Sequence, residues 1–123
     1  MRIALCDDDE DFRSLMGLCV REDAELDLVA SARAVAPLLN ALPTIDVEGV
    51  LLDWMLPGET QEDAVRSVRA ALPDARIVVL SAVVRASAEE RALAAGADGY
   101  VEKNGGARDL LDRCRLVLLP SPG

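Results

Sequence analysis

No histidine occurs among the 123 residues. A serine or cysteine nucleophile therefore has no imidazole base in this chain, and zinc has no imidazole ligand. Aromatic residues are nearly as scarce. Phe12, Trp54 and Tyr100 make up 2% of a chain that is 51% hydrophobic, so the core must come from Leu, Val, Ile and Ala. Basic residues are also few: 13 against 22 acidic ones, for a formal charge of −9. That balance gives no electrostatic basis for this domain to hold nucleic acid or an anionic membrane by itself. No apolar run approaches the ~20 residues of a membrane span. The first residues reach the acidic run at Asp7 after only Ile3-Ala4-Leu5-Cys6, which is too short for a signal-peptide core. Cys6, Cys19 and Cys114 are odd in number, widely spaced and set in apolar patterns. They read as small buried hydrophobes in a reducing compartment, so the expected location is cytoplasmic.

The length fits one domain with a real core. Apolar runs of strand length alternate with segments of helical period. Phe12, Leu15, Met16, Cys19 and Val20 recur on one face of a helix over 11–22. Residues 26–31 predict a second strand, and Val35, Leu38, Leu39 and Leu42 a short helix with Pro37 in its first turn. The run 49–53 is apolar throughout, as expected of a central parallel strand covered on both faces. Thr60 with Asp63 opens a third helix, and 76–81 make a fourth strand. Ser87 with Glu90 forms a capping-box pair before an Ala-rich helix over 88–95, which Gly96 ends. A short fifth strand at 99–102 precedes a last helix over 107–119. Residues 120–123 read as the start of a linker.

Five βα units imply an α/β fold, a doubly wound parallel sheet with right-handed crossovers. In the flavodoxin-like order 2-1-3-4-5, the tips of strands one and three meet at the switch point, where such sheets bind ligands. Polar residues end four apolar runs there: Asp7-Asp8, Asp53, Ser81 and Lys103. A lone strand-end carboxylate usually just caps the next helix. Three together at ~4 Å repel by about 4 kcal/mol per pair at an effective dielectric of ~20. Such a cluster is either screened by solvent or built around a cation. Oxygen-only ligands point to a hard ion, Mg²⁺ or alternatively Mn²⁺. Asp9, Glu10 and Asp11 read as a helix start favoured by the macrodipole, which leaves Asp8, with Asp7 in support, for the metal.

The joint pattern resembles the receiver domain of two-component response regulators, over 1–119. It consists of the acidic pair Asp7-Asp8, Asp53 followed by Pro57-Gly58, Ser81-Ala82, and Tyr100 three residues before Lys103. The 28-residue separation of Asp53 and Ser81 looks like that of the LuxR/NarL-type branch. The resemblance implies that Asp53 is a phosphoacceptor charged by a sensor histidine kinase, and that the domain is not a turnover enzyme. It implies Mg²⁺ held by Asp8, Asp53, Asp7 and the Met55 backbone carbonyl, with Lys103 and Ser81 contacting the phosphoryl group and Tyr100 turning in response. It further implies a helix-turn-helix output domain beyond residue 123 and homodimer formation on phosphorylation.

Some details depart from the family pattern. Asn104 follows Lys103 where proline with a cis bond is common, so either a trans loop or a strained bond absorbed by Gly105-Gly106 is expected. The loop 59–62 lacks a glycine often found there, and Ser81 replaces the commoner threonine. Met55 and Val83 are apolar at positions that flank an attacking water, which predicts slow self-dephosphorylation. A haloacid-dehalogenase-type phosphatase would need an Asp where Met55 stands. Gly96-x-x-Gly99 follows a helix and so is no phosphate loop for a flavodoxin-like cofactor domain. A non-phosphorylated pseudo-receiver and a stand-alone receiver without output domain remain as alternatives.

Overall fold

The computed structural model describes residues 1–58, 60–82 and 86–119. Five parallel strands and five helices alternate: β1 (Arg2–Cys6), α1 (Glu10–Arg21), β2 (Asp27–Ala32), α2 (Val35–Ala41), β3 (Gly49–Asp53), α3 (Gln61–Ala71), β4 (Arg76–Ser81), α4 (Ala86–Ala95), β5 (Gly99–Glu102) and α5 (Ala107–Leu118). A 3₁₀ turn, Leu42–Thr44, follows α2. The sheet order is β2-β1-β3-β4-β5, the flavodoxin-like α/β arrangement. The expected tail at 120–123, and Glu59 and Val83, lie outside the described residues.

Strand side chains alternate between two apolar layers. Ile3, Leu5, Leu51, Val78 and Leu80 face α1 and α5, meeting Met16, Val20, Leu111 and Cys114. Ala4, Cys6, Val50, Leu52, Ile77 and Val79 face α2, α3 and α4, meeting Leu38, Val65, Val68 and Ala92. Every residue of β3 is buried, as its unbroken apolar run requires. Close packing dictates Gly99: a Cβ there would lie 2.7 Å from Val117 Cγ2 on α5. All three cysteines are buried thiols.

Helix ends follow local chemistry. Asp9 caps α1 by accepting from Phe12 N–H, and Thr60 caps α3 by accepting from Asp63 N–H. Gly96, at φ 124°, closes α4 in a backbone region that disfavours side chains. Arg69 of α3 fixes this corner. Its guanidinium donates to the carbonyls of Leu72, Pro73, Ala75 and Gly96 and to Asp98 Oδ2. The same Asp98 oxygen accepts from Ile77 N–H, which ties the entry of β5 to β4.

Two sequence expectations need correction. Helix α4 starts at Ala86, so Ser87 and Glu90 lie inside it and form no capping box. Leu15, assigned to the inward face of α1, is 52% exposed, and Gly17 is buried instead. Gly17 faces Leu28, whose Cδ2 would lie 3.5 Å from a Cβ placed there. On α5, Leu116 is exposed, and Leu119, just past its end, packs partly against the core.

A candidate acidic site at the carboxyl edge of the sheet

Backbone hydrogen bonds carry the ladders past the strand ends and so fix the residues that follow. Asp7 N–H donates to Ala32 O at 3.0 Å, Trp54 N–H to Leu80 O at 2.8 Å and Lys103 N–H to Ser81 O at 2.7 Å. These bonds set Asp7, Asp53, Ser81 and Lys103 at one edge, each on a different strand tip.

The three carboxylates meet there. Asp7, Asp8 and Asp53 each offer an oxygen, all within 4.8 Å of one another. Asp7 is wholly buried, Asp53 nearly so, and Asp8 is open to solvent. Asp7 Oδ1 accepts from Asp9 N–H at 2.9 Å, and its Oδ2 accepts from Lys103 Nζ at 2.5 Å. Lys103 Nζ also stands 3.3 Å from Asp53 Oδ1, which accepts from Met55 N–H at 3.4 Å. Arg13 Nη1 donates to the carbonyl of Asp7 at 2.6 Å and steadies the tip of β1.

The electrostatics follow from burial and from this grouping. Burial, with the charge of Asp7 adding to it, pushes the Asp53 carboxyl up to about 6 from 3.8; Lys103 and the Met55 N–H offset part of that. Burial works against the charged form of Lys103. The hydrogen bond to Asp7 and the charges of Asp53 and Asp7 outweigh it and hold the ammonium above the ordinary lysine range. The set is oxygen-rich, carries excess negative charge and has one member facing water. That chemistry fits a hard divalent cation entering from the Asp8 side.

The sequence ranked Asp8 ahead of Asp7, and the structure brings both to Asp53. It makes Asp7 the buried partner of Lys103. Ser81 is buried at the tip of β4, and Tyr100 is half-buried against the layer of α2, α3 and α4. Met55 lies exposed at the rim. The 103–104 bond is trans, and Gly105, at φ 74°, turns the loop.

Two neighbours were not singled out in the sequence as parts of the site. Phe12, read there only as a core-facing helical residue, lies with its ring 4.3 Å from Lys103 Nζ. Arg91 of α4 lies 5.5 Å over the ring of buried Trp54 and forms a paired contact with Glu62 of α3, at 2.6 and 3.1 Å. Only the rarity of aromatics in this chain marked either spot. A concavity of about 520 Å³ opens at the opposite edge, between Val47, Leu72, Arg76 and Leu118, and none of the strand-tip groups lines it.

A parallel five-stranded sheet with an acidic cluster and a lysine at its carboxyl edge is the arrangement of a receiver-type α/β domain. The chain belongs to the response regulator receiver domain family, whose model matches residues 3–115. Members of this family are not turnover enzymes. The DNA-binding transcriptional activator DevR/DosR of Mycobacterium tuberculosis is 31% identical over 104 residues, 85% of this chain and 48% of that protein. The phosphate regulon transcriptional regulatory protein PhoB of Rhizobium meliloti is 30% identical over 121 residues, 95% of this chain and 52% of that one. The chain thus spans about half the length of the curated relatives it matches. Among solved structures, the isolated REC domain of RcsB from Salmonella enterica serovar Typhimurium aligns with a TM-score of 0.81 at 20% identity, covering 91% of this chain and 83% of that one. The receiver domain of NarL from Mycobacterium tuberculosis gives 0.78 at 22%, covering 92% and 94%. These last two speak to the fold alone. Among the described residues, no helix is long and apolar enough to cross a membrane.

Proposed function

We propose that this receiver domain takes a phosphoryl group onto Asp53 from the phosphohistidine of a sensor histidine kinase in the cytoplasm. One observation carries the reading: three carboxylates and one ammonium, from three different strand tips, converge at a single partly open point. A carboxylate oxygen of Asp53 attacks phosphorus, the N–P bond of the donor breaks, and the imidazole leaves with a proton taken from solvent. Lys103 already stands at hydrogen-bonding range of the attacking carboxylate and pairs with a phosphoryl oxygen after transfer. Ser81 donates its hydroxyl to another.

Asp7, Asp8 and Asp53 would hold Mg²⁺ or Mn²⁺, with the Met55 carbonyl as a further oxygen ligand. When bound, such an ion would supply positive charge against the phosphoryl oxygens. The acyl phosphate adds a charge of roughly −1.5 to −2, judged from other phosphorylated side chains. Ser81 drawn toward it leaves room for Tyr100 to turn, which reshapes the face formed by α4, β5 and α5 and shifts a pre-existing equilibrium. Homodimers form through that change.

The matched relatives are about twice as long, and one of them is named a DNA-binding transcriptional activator. That supports a LuxR/NarL-type regulator whose helix-turn-helix output lies beyond residue 123, joined by the 120–123 linker. Incubation with Mg²⁺ and acetyl phosphate, followed by intact mass spectrometry, tests the chemistry. One added phosphoryl group is expected, absent in Asp53→Ala. No adduct on the parent chain would leave a pseudo-receiver that acts only by contact.

A further inference from the structure

Lys103 is held by two kinds of partner. Asp7 and Asp53 are anions that, on the proposed reading, must also serve the metal and the phosphoryl group. The third partner is the ring of Phe12, 4.3 Å from Nζ and uncharged. An aromatic face attracts an ammonium through its quadrupole, and more strongly where water is partly excluded, as at this side chain with 18% exposure. We propose that Phe12 is a positioning residue for phosphoryl transfer: its ring face keeps the Lys103 ammonium aimed at Asp53 while the carboxylates change partners. This rests on the reading of Lys103 as the phosphoryl-pairing cation.

The placement suits that task. Phe12 sits in the first turn of α1, and its N–H donates to Asp9 Oδ1 at 3.2 Å, so the N-cap fixes the backbone that carries the ring. The rest of the side chain packs against the layer of α1 and α5. At the other end, the Lys103 backbone is fixed by its hydrogen bond to Ser81 O. Between these two anchors lies a flexible four-carbon stem, whose ordering costs entropy if no partner waits for the head group. An acidic residue in place of Phe12 would draw the ammonium away from an incoming phosphoryl group. An aliphatic one would pack equally well and attract nothing. A ring attracts the cation without competing with it for the phosphoryl group, so its contribution survives when Asp7 and Asp53 are engaged elsewhere.

The test measures the rate of acyl-phosphate formation from acetyl phosphate at saturating Mg²⁺. The series is the parent, Phe12→Trp, Phe12→Leu, and Phe12 replaced by phenylalanines carrying successively more fluorine. Fluorine drains the ring face with little change of shape, so merely structural packing would not follow it. Expected are a parent-like or faster rate for Phe12→Trp, a loss of about three- to tenfold for Phe12→Leu, and a stepwise fall along the fluorinated series. In a Lys103→Met background the same changes should have no further effect. A parent that is phosphorylated, with flat rates along the fluorinated series, overturns the inference and leaves the proposed function standing. A parent that takes up no phosphoryl group overturns both. If Phe12→Leu fails to fold, the fluorinated series alone decides.

Discussion

Lys103 and Asp7, 96 residues apart in the chain, are joined by a 2.5 Å hydrogen bond that buries one carboxylate oxygen under the ammonium. A divalent ion entering this site must share Asp7 and Asp53 with a resident cation. Lys103→Met removes that cation and leaves the wholly buried Asp7 carboxylate without the ammonium that balances its charge, which costs roughly 3 kcal/mol or more in the absence of metal. We therefore expect the variant to melt lower than the parent in EDTA and to gain more from added Mg²⁺. Thermal melts across a Mg²⁺ titration check this. An equal Mg²⁺-dependent gain in the two proteins would show that lysine and metal do not compete.

Asp53 brings its own pH dependence. Its carboxyl is held up at about 6 against 3.8 in the unfolded chain, first by burial and then by Asp7. Between those values the folded state keeps a proton that the unfolded state has lost, so stability falls as pH rises through about 4 to 6. Above that window the buried carboxylate costs on the order of 2 kcal/mol. Without Mg²⁺, Asp53→Asn should be more stable than the parent at pH 7.5, with the difference shrinking as pH falls toward 4. Urea denaturation at several pH values measures it. A gap that is constant with pH would remove this explanation.

Trp54 is the sole tryptophan, directly follows Asp53 and lies 4% exposed beneath Arg91. Its fluorescence should change on Mg²⁺ addition. In Arg91→Ala the ring loses its cover and α4 loses its tie to Glu62, so acrylamide quenching of Trp54 should increase with little change in melting temperature. Unchanged quenching would mean that other groups screen the ring.

Met55 lies exposed at the rim, and its sulfur accepts from the Gln61 amide. A thioether engaged in this way does not orient water. Met55→Asn should shorten the lifetime of the acyl phosphate by on the order of tenfold or more, followed by loss of the mass adduct over time. Gln61→Ala, which frees Met55 without adding a polar group near Asp53, should leave the lifetime close to that of the parent. An unaltered lifetime in Met55→Asn would discard Met55 as the cause of persistence.

Much of the fold could be read in the sequence because the elements carry local signatures. The unbroken run at β3, the Thr60 cap and the Gly96 stop each depend on a few adjacent residues. The strand-tip residues were visible for the same reason, since each interrupts an apolar run. Side-chain contacts between distant segments left no such trace. Nothing in the helical period of α1 says that Phe12 would lie beside a lysine from the loop after β5. Nothing near Glu62 announces Arg91. The burial of Asp7 beneath Lys103 likewise depends on two strand tips meeting in space, so the sequence ordered Asp7 and Asp8 by their position in the acidic run. The early start of α4 shows a local pattern giving way: a good capping pair at Ser87 and Glu90 was overridden by a helix that begins upstream of it.

Arg69 gives the signalling face a fixed end. By clasping Gly96 and Asp98 together with the end of α3, it makes the far corner of α4 stationary relative to the sheet. Arg91 adds a second, more exposed tie from α4 to Glu62 of α3. On the proposed reading, a change at Asp53 would then displace α4 least at the Gly96 end that Arg69 holds.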